Sequence, residues 1–399
     1  MVLPPGSDDE TTQRAARGSA VPTPQLVERR FGAARVLLRT ERFDADLRRG
    51  AYRLADAQTV ALDDVALLCA GGEFASLDGV LFLDTETTGL AGGAGTFVFL
   101  VGVAEFREGV LEIRQWLLPD PADEDALLDA LAEEAARARG IVSFHGRGFD
   151  VPRIEERFQL AGRTSPFATL PHLDLLVGAR RVFRMRAGGV GLQQLERLVL
   201  GTVRLDDLPG AACPQAWFDF LRGDAAPIAR VLEHNLLDLL ALPALLAALA
   251  DPPAGRGPAP DLHAAGKVLA RAGLDGRALD LQLGAASTAV DAHVAARAHD
   301  EAARILRRQR RDAEAAAEAF AATLADPDLP GPWLALAKDA EHRTRDLELA
   351  LACCRRLERI LFLRSRSESR RRDLRARIER LERKLAANPA DAAEAQRPA

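Results

Sequence analysis

The stretch VLFLDTETTGL, residues 80–90, is an apolar run that ends in two acids, Asp84 and Glu86. The run predicts a buried strand, in which residues two apart face the same side, so both carboxylates point at one place. Buried like charges repel unless a cation lies between them, and carboxylate oxygens suit Mg²⁺ or Mn²⁺. The pattern therefore indicates a metal site, with a helix-capping aspartate beside a solvent-facing glutamate as the alternative.

Composition restricts the class of protein. The chain has 399 residues, 48% of them hydrophobic, which allows two or three domains, and its net charge of -5 argues against a chain coated in basic charge. Its four cysteines form no CxxC pair, which favours free thiols in a reducing cytosol over a disulfide framework or a thiolate zinc site. The longest apolar run, Leu236–Ala250, is shorter than the roughly 20 residues that span a bilayer. We expect a cytoplasmic protein with no membrane partner.

Residues 79–250 predict an α/β domain with a mixed sheet flanked by helices. Three strands of antiparallel type come first, in VLFLDTET, FVFLVGVAEF and VLEIRQWLL, and strands that alternate with helices follow. The glycine-rich segment after the first strand lacks the Lys-Ser/Thr of a phosphate-binding loop, so a tight turn is expected. Residues 1–22 are polar and predict disorder. Residues 23–78 are interpreted as an N-terminal extension.

The C-terminal part predicts helices. A linker is expected at 251–262, a helical region at 263–387 and a disordered tail at 388–399. RDAEAAAEAF (311–320) and RDLELALACC (345–354) echo each other 34 positions apart, which is the period of tetratricopeptide helical hairpins. A generic helical bundle with chance alanine echoes is the alternative. The strongly basic last helix is interpreted as a solvated face, with a nucleic-acid contact as the alternative.

Three further polar residues fall in segments that otherwise predict buried structure. Asp150 follows a second short strand at a helix start, where capping is the common role. His234 and Asp238 are four apart and share one face of a helix that is otherwise apolar. A satisfied core pair would explain His234 and Asp238 when they are taken alone. In chain order, however, these residues follow the D-x-E of the first strand as one set.

This ordered set resembles the ribonuclease H-like 3′–5′ exonucleases with four acidic metal-binding residues, and more closely the YprB-like ribonuclease H-like family. The resemblance covers about residues 80–250, and it extends to a helical repeat region after the nuclease-like domain. The motifs that carry the closer resemblance are DTETTGL (84–90), GAGT (93–96), FLVG (99–102), HLDLL (172–176), LGTVRLDDLPG (200–210) and LEHNLLDLLAL (232–242).

The resemblance implies a site that holds two divalent cations, Mg²⁺ or Mn²⁺, about 4 Å apart. His234 would accept the proton of the attacking water, and Asp174 would support the site from behind. The implied metal ligands are Asp84, Glu86, Asp150 and Asp238. Substrate contacts are predicted at Thr87, Thr88, Gly89, Leu90, Phe149 and Asn235.

The histidine departs from both standard patterns of these exonucleases, which have four residues between His and Asp or three between Tyr and Asp. His234 has the tyrosine spacing, and the only tyrosine, Tyr52, lies outside the motif. One helical residue turns a side chain by about 100°, so His234 reaches the water from another angle or only holds substrate.

The sequence therefore predicts a metal-dependent nuclease that acts on single-stranded ends of DNA or RNA, specifically a 3′–5′ exonuclease. The alternative is a nucleic-acid-binding or scaffold protein in which the ribonuclease H-like domain is catalytically weak. In either case, the C-terminal helices are expected to offer a surface for a protein partner.

Overall fold

The computed structural model describes residues 25–89, 95–364 and 368–387. The chain divides into two compact units, with the boundary between residues 254 and 255. The segments predicted to be disordered, 1–22 and 388–399, lie outside the described residues.

The first unit contains a seven-stranded mixed sheet. The strands of this unit are β1 (Val27–Phe31), β2 (Ala34–Asp44), β3 (Arg48–Arg49), β4 (Tyr52–Arg53), β5 (Val80–Thr87), β6 (Val98–Arg107), β7 (Val110–Leu117), β8 (Gly140–Ser143) and β9 (His172–Asp174). The sheet order is β1-β2-β7-β6-β5-β8-β9, and β3 pairs only with β4. β5 pairs parallel with β8, as β8 does with β9, and the other neighbours are antiparallel. The three strands predicted first, β5 to β7, are adjacent.

Helices cover both faces of this sheet. They are α1 (Leu62–Cys69), α2 (Glu124–Arg137), α3 (Asp150–Leu160), α4 (Leu175–Val182), α5 (Arg184–Ala187), α6 (Leu192–Leu195), α7 (Cys213–Leu221) and α8 (Ala226–Ala250). Consecutive residues of β7 show the two faces: the Gln115 amide donates to the Leu232 carbonyl on α8 at 2.7 Å, and the Trp116 indole donates to Glu134 on α2 at 3.2 Å. The predicted α/β class with a mixed sheet flanked by helices is confirmed.

The segment predicted as an N-terminal extension supplies two strands of this sheet. β2 pairs with β7 from Leu37 to Asp44. Charged side chains interrupt the apolar pattern of β2, but the sheet satisfies them, since Arg39 donates to Glu41 at 3.0 Å and to Gln115 at 3.1 Å. The partner strand lies far along the chain, so the local pattern does not reveal the pairing. The sheet therefore begins well before the predicted domain boundary at residue 79.

The long helix α8 passes through the core of the first unit. It remains helical across Pro243. Together with the short turn that follows, residues 226–254, it is long and apolar enough to span a membrane, but 83% of its most apolar window is buried inside the protein. Packing against the sheet therefore accounts for its apolar surface.

The second unit is helical throughout its described residues. Its helices are α9 (Ala259–Arg271), α10 (Asp275–Thr288), α11 (Ala292–Arg308), α12 (Asp312–Ala325), α13 (Pro330–Asp339), α14 (Leu347–Arg364) and α15 (Glu368–Ala387). Each helix packs against the next in the chain, as in repeat proteins. Two pairs of alanines are 34 positions apart. Ala303 and Ala337 are both buried, but in the second pair Ala316 is half-buried and Ala350 is fully buried. The all-helical region is confirmed, and the tetratricopeptide-like repeat stays a prediction.

Part of the basic face of α15 has a structural role. Arg377, Arg380 and Lys384 donate to the buried carboxylate of Glu341 at 2.6, 2.9 and 3.0 Å. Burial works against ionisation of Glu341, but these cations lower its pKa overall. This face of α15 is therefore used within the second unit.

Candidate active site

Strand β5 brings the two acids of the opening stretch to one face of the sheet. Asp84 and Glu86 are two apart in the strand, and a register shift against β6 follows between Glu86 and Thr87. Because the shift comes after Glu86, the two acids keep the alternation that places them side by side. Helix α8 packs on the same face and contributes His234, Asn235 and Asp238.

A chain of hydrogen bonds across the sheet fixes the Asp84 carboxylate. The Asn235 amide donates to Asp84 Oδ2 at 2.7 Å, and Gln115 donates to Asn235 Oδ1, also at 2.7 Å. Arg39 of β2 donates to Gln115 in turn, at 3.1 Å. Asn235 was predicted to contact substrate, but it is fully buried. It positions Asp84 instead.

Gly102 permits this close approach of α8 to the sheet. It lies opposite Asp84 on β6, and a Cβ added there would meet Asn235 Oδ1 at 2.2 Å. A side chain at this position would therefore displace the amide that holds Asp84. The glycine of the FLVG motif thus has a direct relation to the acids of the site.

Asp150 reaches the same strand from the other side. It is the first residue of α3, and its Oδ1 accepts hydrogen bonds from the Thr85 N–H at 3.1 Å and the Thr85 hydroxyl at 2.5 Å. The side chain therefore binds across to β5. The parallel pairing of β5 with β8 explains the meeting, because the ends of adjacent parallel strands share one edge of the sheet.

Asp174 orders the loop that precedes Asp150. Its carboxylate accepts from the N–H groups of His145 at 2.8 Å, Arg147 at 3.2 Å and Leu176 at 3.0 Å. His145 has a φ of 76°, a left-handed conformation that these bonds help to hold. Asp174 thus lies behind Asp150, where its charge adds to the rise in the pKa of Asp150.

The imidazole of His234 lies between the acids of β5 and α8. Its Nδ1 bonds to Asp207 Oδ1 at 2.9 Å, and its Nε2 lies 3.7 Å from Glu86 Oε1 and 3.6 Å from Asp238 Oδ2. Burial lowers the pKa of His234, but its hydrogen bond to Asp207 and the nearby carboxylates raise the pKa overall. Because a carboxylate only accepts, Asp207 places the proton on Nδ1 and directs Nε2 into the cleft.

An arginine that sequence reasoning missed contacts Asp238. Arg204 is almost fully buried, and it lies 2.5 Å from Asp238 Oδ1, 2.7 Å from Glu196 Oε2 and 3.1 Å from Asp207 Oδ2. Arg49 binds the other oxygen of Glu196 at 2.9 Å. The LGTVRLDDLPG motif was assigned no role, although an arginine and two aspartates in an otherwise apolar loop were the available signal.

The other predicted substrate contacts lie at the end of β5 and before α3. The Thr87 hydroxyl donates to the Gly89 carbonyl at 3.0 Å, and the Thr88 hydroxyl accepts from the Phe97 N–H at 2.9 Å. Both hydroxyls are therefore used within the turn. Phe149 is half-buried, and Arg153 lies 5.7 Å from its ring centre. Leu90 lies outside the described residues.

Three carboxyl groups, those of Asp84, Glu86 and Asp150, have raised pKa values. Burial, followed by the charges of Asp238 and Asp150, raises the pKa of Asp84 well above its usual value. Burial raises the pKa of Glu86 to about 7 and that of Asp150 to about 6. A divalent cation relieves this kind of mutual repulsion, and oxygen-rich donor sets favour Mg²⁺ and Mn²⁺. The residues therefore fit the divalent metal ions that the sequence predicts.

Metal binding should depend steeply on pH. Glu86, with a pKa of about 7, and Asp150, with a pKa of about 6, must lose protons before they coordinate a cation. We expect Mn²⁺ affinity to rise as the pH increases from about 5 to about 8 and binding to release protons. Titration calorimetry in buffers of different ionisation enthalpy measures the Mn²⁺ affinity and the number of protons released. An affinity that is flat across this range, with no proton release, would contradict the prediction.

Arg204 should contribute strongly to stability. Its removal leaves the buried Glu196 and Asp207 without their shared cation, and such a loss costs about 3–5 kcal/mol. We expect Arg204→Met to lower the free energy of unfolding by this amount in urea denaturation. Arg230→Met is the control, because Arg230 is exposed and pairs only weakly with Asp206. If Arg204→Met lowered the free energy of unfolding no more than Arg230→Met, the buried network would not contribute to stability.

Comparison with known proteins gives the class of the domain. Residues 81–250 match the family model RNase_H_2, which belongs to the RNase H superfamily. The first unit therefore carries an RNase H superfamily domain, and the predicted ribonuclease H-like sheet is confirmed.

The relative found is the uncharacterized protein YprB of Bacillus subtilis (strain 168). The two chains are 38% identical over 165 residues, which cover 41% of this chain and 40% of YprB. The match thus spans about two fifths of the length of that relative. The similarity to YprB is confirmed for this part of the chain.

Proposed function

We propose that this protein is a metal-dependent nuclease that hydrolyses nucleic-acid phosphodiesters, specifically a 3′–5′ exonuclease on single-stranded ends. The observation that carries the proposal is that carboxylates from β5 and α8, Glu86 and Asp238, lie 3.7 and 3.6 Å from His234 Nε2, while Asp150 of α3 is bonded to β5 at Thr85. Their mutual repulsion supports a cleft built for cations. The match of residues 81–250 to the RNase H superfamily is consistent with this reaction class.

Bound divalent cations would lower the pKa of a water molecule and stabilise the charge on the phosphate. Asn235 holds the Asp84 carboxylate for this task, and Thr85 holds that of Asp150. The charges of four carboxylates equal those of two divalent cations, so the substrate phosphate would bring the net negative charge. The proposed ligands are Asp84, Glu86, Asp150 and Asp238.

His234 is the proposed general base. Asp207 keeps the proton on Nδ1, so Nε2 is the free acceptor. A water molecule between the Glu86 and Asp238 carboxylates would lie within reach of Nε2, because both are less than 4 Å from it. The tyrosine-type spacing of His234 is therefore compatible with proton transfer.

Labelled oligonucleotides test the reaction. The full chain is incubated with 5′-labelled single-stranded DNA or RNA while Mn²⁺ is titrated. We expect a ladder of products shortened from the 3′ end, no cleavage of circular single strands, and no products with Asp238→Ala. Cleavage of circular substrate would identify an endonuclease instead. An absence of products at every Mn²⁺ concentration would reject the nuclease proposal.

The Arg204–Asp238 ion pair favours a second candidate function. A guanidinium 2.5 Å from Asp238 already neutralises one proposed metal ligand. In this alternative, the domain binds nucleic acid without efficient cleavage, and the helical second unit acts as a scaffold. Filter binding of single-stranded oligonucleotides with an unreactive Mn²⁺-loaded chain would support the alternative. Turnover in the labelled assay would exclude it.

The second unit is proposed to be a tetratricopeptide-like array that binds a protein partner. The packing of each helix against the next supports such an array. A cytoplasmic location is also proposed, because all four cysteines are buried free thiols, as expected in a reducing compartment.

A further inference from the structure

A sulfur donor lies beside the acids of the cleft. Cys213 Sγ, His234 Nε2 and a carboxylate oxygen of Glu86 all lie within 4.8 Å of one another. Asp238 Oδ2 is 3.6 Å from the same imidazole nitrogen. Three donors of three chemical types thus lie close together, with the Asp238 carboxylate beside the imidazole nitrogen.

The spacing of these donors suits a tetrahedral ion. Zn–S bonds of about 2.3 Å and Zn–N or Zn–O bonds of about 2.0–2.2 Å place neighbouring ligand atoms roughly 3.3–3.8 Å apart. The distance from His234 Nε2 to Glu86 Oε1, 3.7 Å, lies in this range. Only small side-chain adjustments would bring Cys213 Sγ to the same separation.

The outer partner of the histidine also matches a metal site. Histidine ligands commonly donate the second ring N–H to a carboxylate, which fixes the ring and its tautomer. Asp207 has this relation to His234, at 2.9 Å, and Arg204 holds Asp207 at 3.1 Å. The ring is therefore set with Nε2 facing Glu86 and Asp238.

The position of Cys213 links the thiol to Glu86. Cys213 is the first residue of α7 and is fully buried, and its Sγ lies within 4.8 Å of a Glu86 carboxylate oxygen. A soft cation could take the place of the thiol proton in this contact, since thiolate is the metal-binding form. The unpaired cysteine gave no such signal in the sequence, because its partners come from β5 and α8.

We infer that Glu86, Cys213 and His234 form a three-ligand binding site for a thiophilic divalent cation of the Zn²⁺ class. Thiolate and imidazole favour such ions over Mg²⁺, which prefers oxygen donors. Since Glu86 belongs to both donor sets, this ion competes with the cations of the proposed nuclease reaction. The inference goes beyond that reaction, because it concerns the metal ions that the pocket accepts and requires no turnover.

Co²⁺ is the probe for the sulfur ligand. We expect the full-length chain to bind one Co²⁺ with a near-ultraviolet thiolate-to-metal charge-transfer band, which Zn²⁺ abolishes by displacement and Mg²⁺ does not. The band should disappear in Cys213→Ser and remain in Cys69→Ser, a matched buried cysteine. The variants Cys353→Ser and Cys354→Ser should also keep it. No band in the parent chain, or an unchanged band in Cys213→Ser, would overturn the inference.

A second variant covers the case in which Cys213→Ser fails to fold. Asp207→Asn should keep the band but weaken Co²⁺ binding by about 10–100-fold, the usual effect of losing the outer partner of a histidine ligand. Asp206→Asn is its control, because Asp206 is the adjacent residue and its side chain is 94% exposed. Unchanged affinity in Asp207→Asn would count against the site. Neither readout depends on cleavage, so failure of the nuclease proposal is distinguishable.

Discussion

Asp84→Asn is expected to abolish nuclease activity while making the metal-free protein more stable. Burial and the charges of Asp238 and Asp150 raise the pKa of Asp84, so its ionised form is unfavourable in the folded chain. Asparagine removes that charge and can still accept the hydrogen bond from Asn235. We expect activity to fall by on the order of 10³-fold, as when a group that stabilises transition-state charge is lost.

The stability change has a definite sign. A carboxyl group with a raised folded pKa makes the folded state bind more protons than the unfolded state, so stability decreases as the pH rises. For Glu86 the stability decreases as the pH rises from 4.5, its usual pKa, to its raised pKa of about 7. At pH 8 we expect metal-free Asp84→Asn to melt above the parent chain, by about 2–4 °C for each kcal/mol recovered.

Scanning calorimetry with and without Mn²⁺ measures both effects. The parent chain should gain stability from Mn²⁺, whereas Asp84→Asn should gain little. Asp206→Asn, which changes an exposed aspartate outside the cleft, should behave like the parent. If Mn²⁺ stabilised Asp84→Asn as much as it stabilises the parent chain, Asp84 would not be a metal ligand.

His234→Ala is expected to lower kcat by about 10²–10⁴-fold, the range for loss of a general base. Mn²⁺ binding should change little, because the four carboxylates remain. The pKa of His234 is raised, and the base works only when neutral, so parent activity should increase with pH through this ionisation. That dependence should be absent in the variant. The measurement is the pH profile of kcat with saturating oligonucleotide and Mn²⁺.

The two possible roles of His234 give different kinetics. A histidine that only holds substrate would raise KM and leave kcat unchanged in the variant. His342→Ala is the control, because His342 lies in the second unit with a side chain that is 62% exposed. A rise in KM without a fall in kcat would therefore contradict the proposal that His234 is the general base. It would leave the proposed metal ligands unaffected.

Much of the fold was predictable because the decisive patterns are local. The alternation in β5 to β7, the apolar run of α8 and the acids at the end of β5 are each readable within a short window. The strands β1 and β2 were not readable in this way. Charged side chains such as Arg39 disguise β2, and they are satisfied only by a partner strand far along the chain.

The site was predictable in its acids and not in its supporting residues. Asp84 and Asp238 are conspicuous because a charge in an apolar segment needs a partner. Asn235 looks equally polar in the sequence, and only the structure shows that it is fully buried and donates to Asp84 Oδ2. Cys213 gave no comparable signal, and Arg204 was marked only by its charge in an otherwise apolar loop, since the partners of both residues lie on other elements.

The sequence by itself determined the class of the first domain, the helical nature of the second unit, and which acids belong together in chain order. Periodicity and the placement of charge within short segments carry that information. The tertiary structure alone decided that β2 joins the sheet, that Asp207 directs His234, and that Arg204 and Cys213 lie beside the acids. Those relations join residues from distant segments, and only packing of the helices onto the sheet brings them within bonding distance.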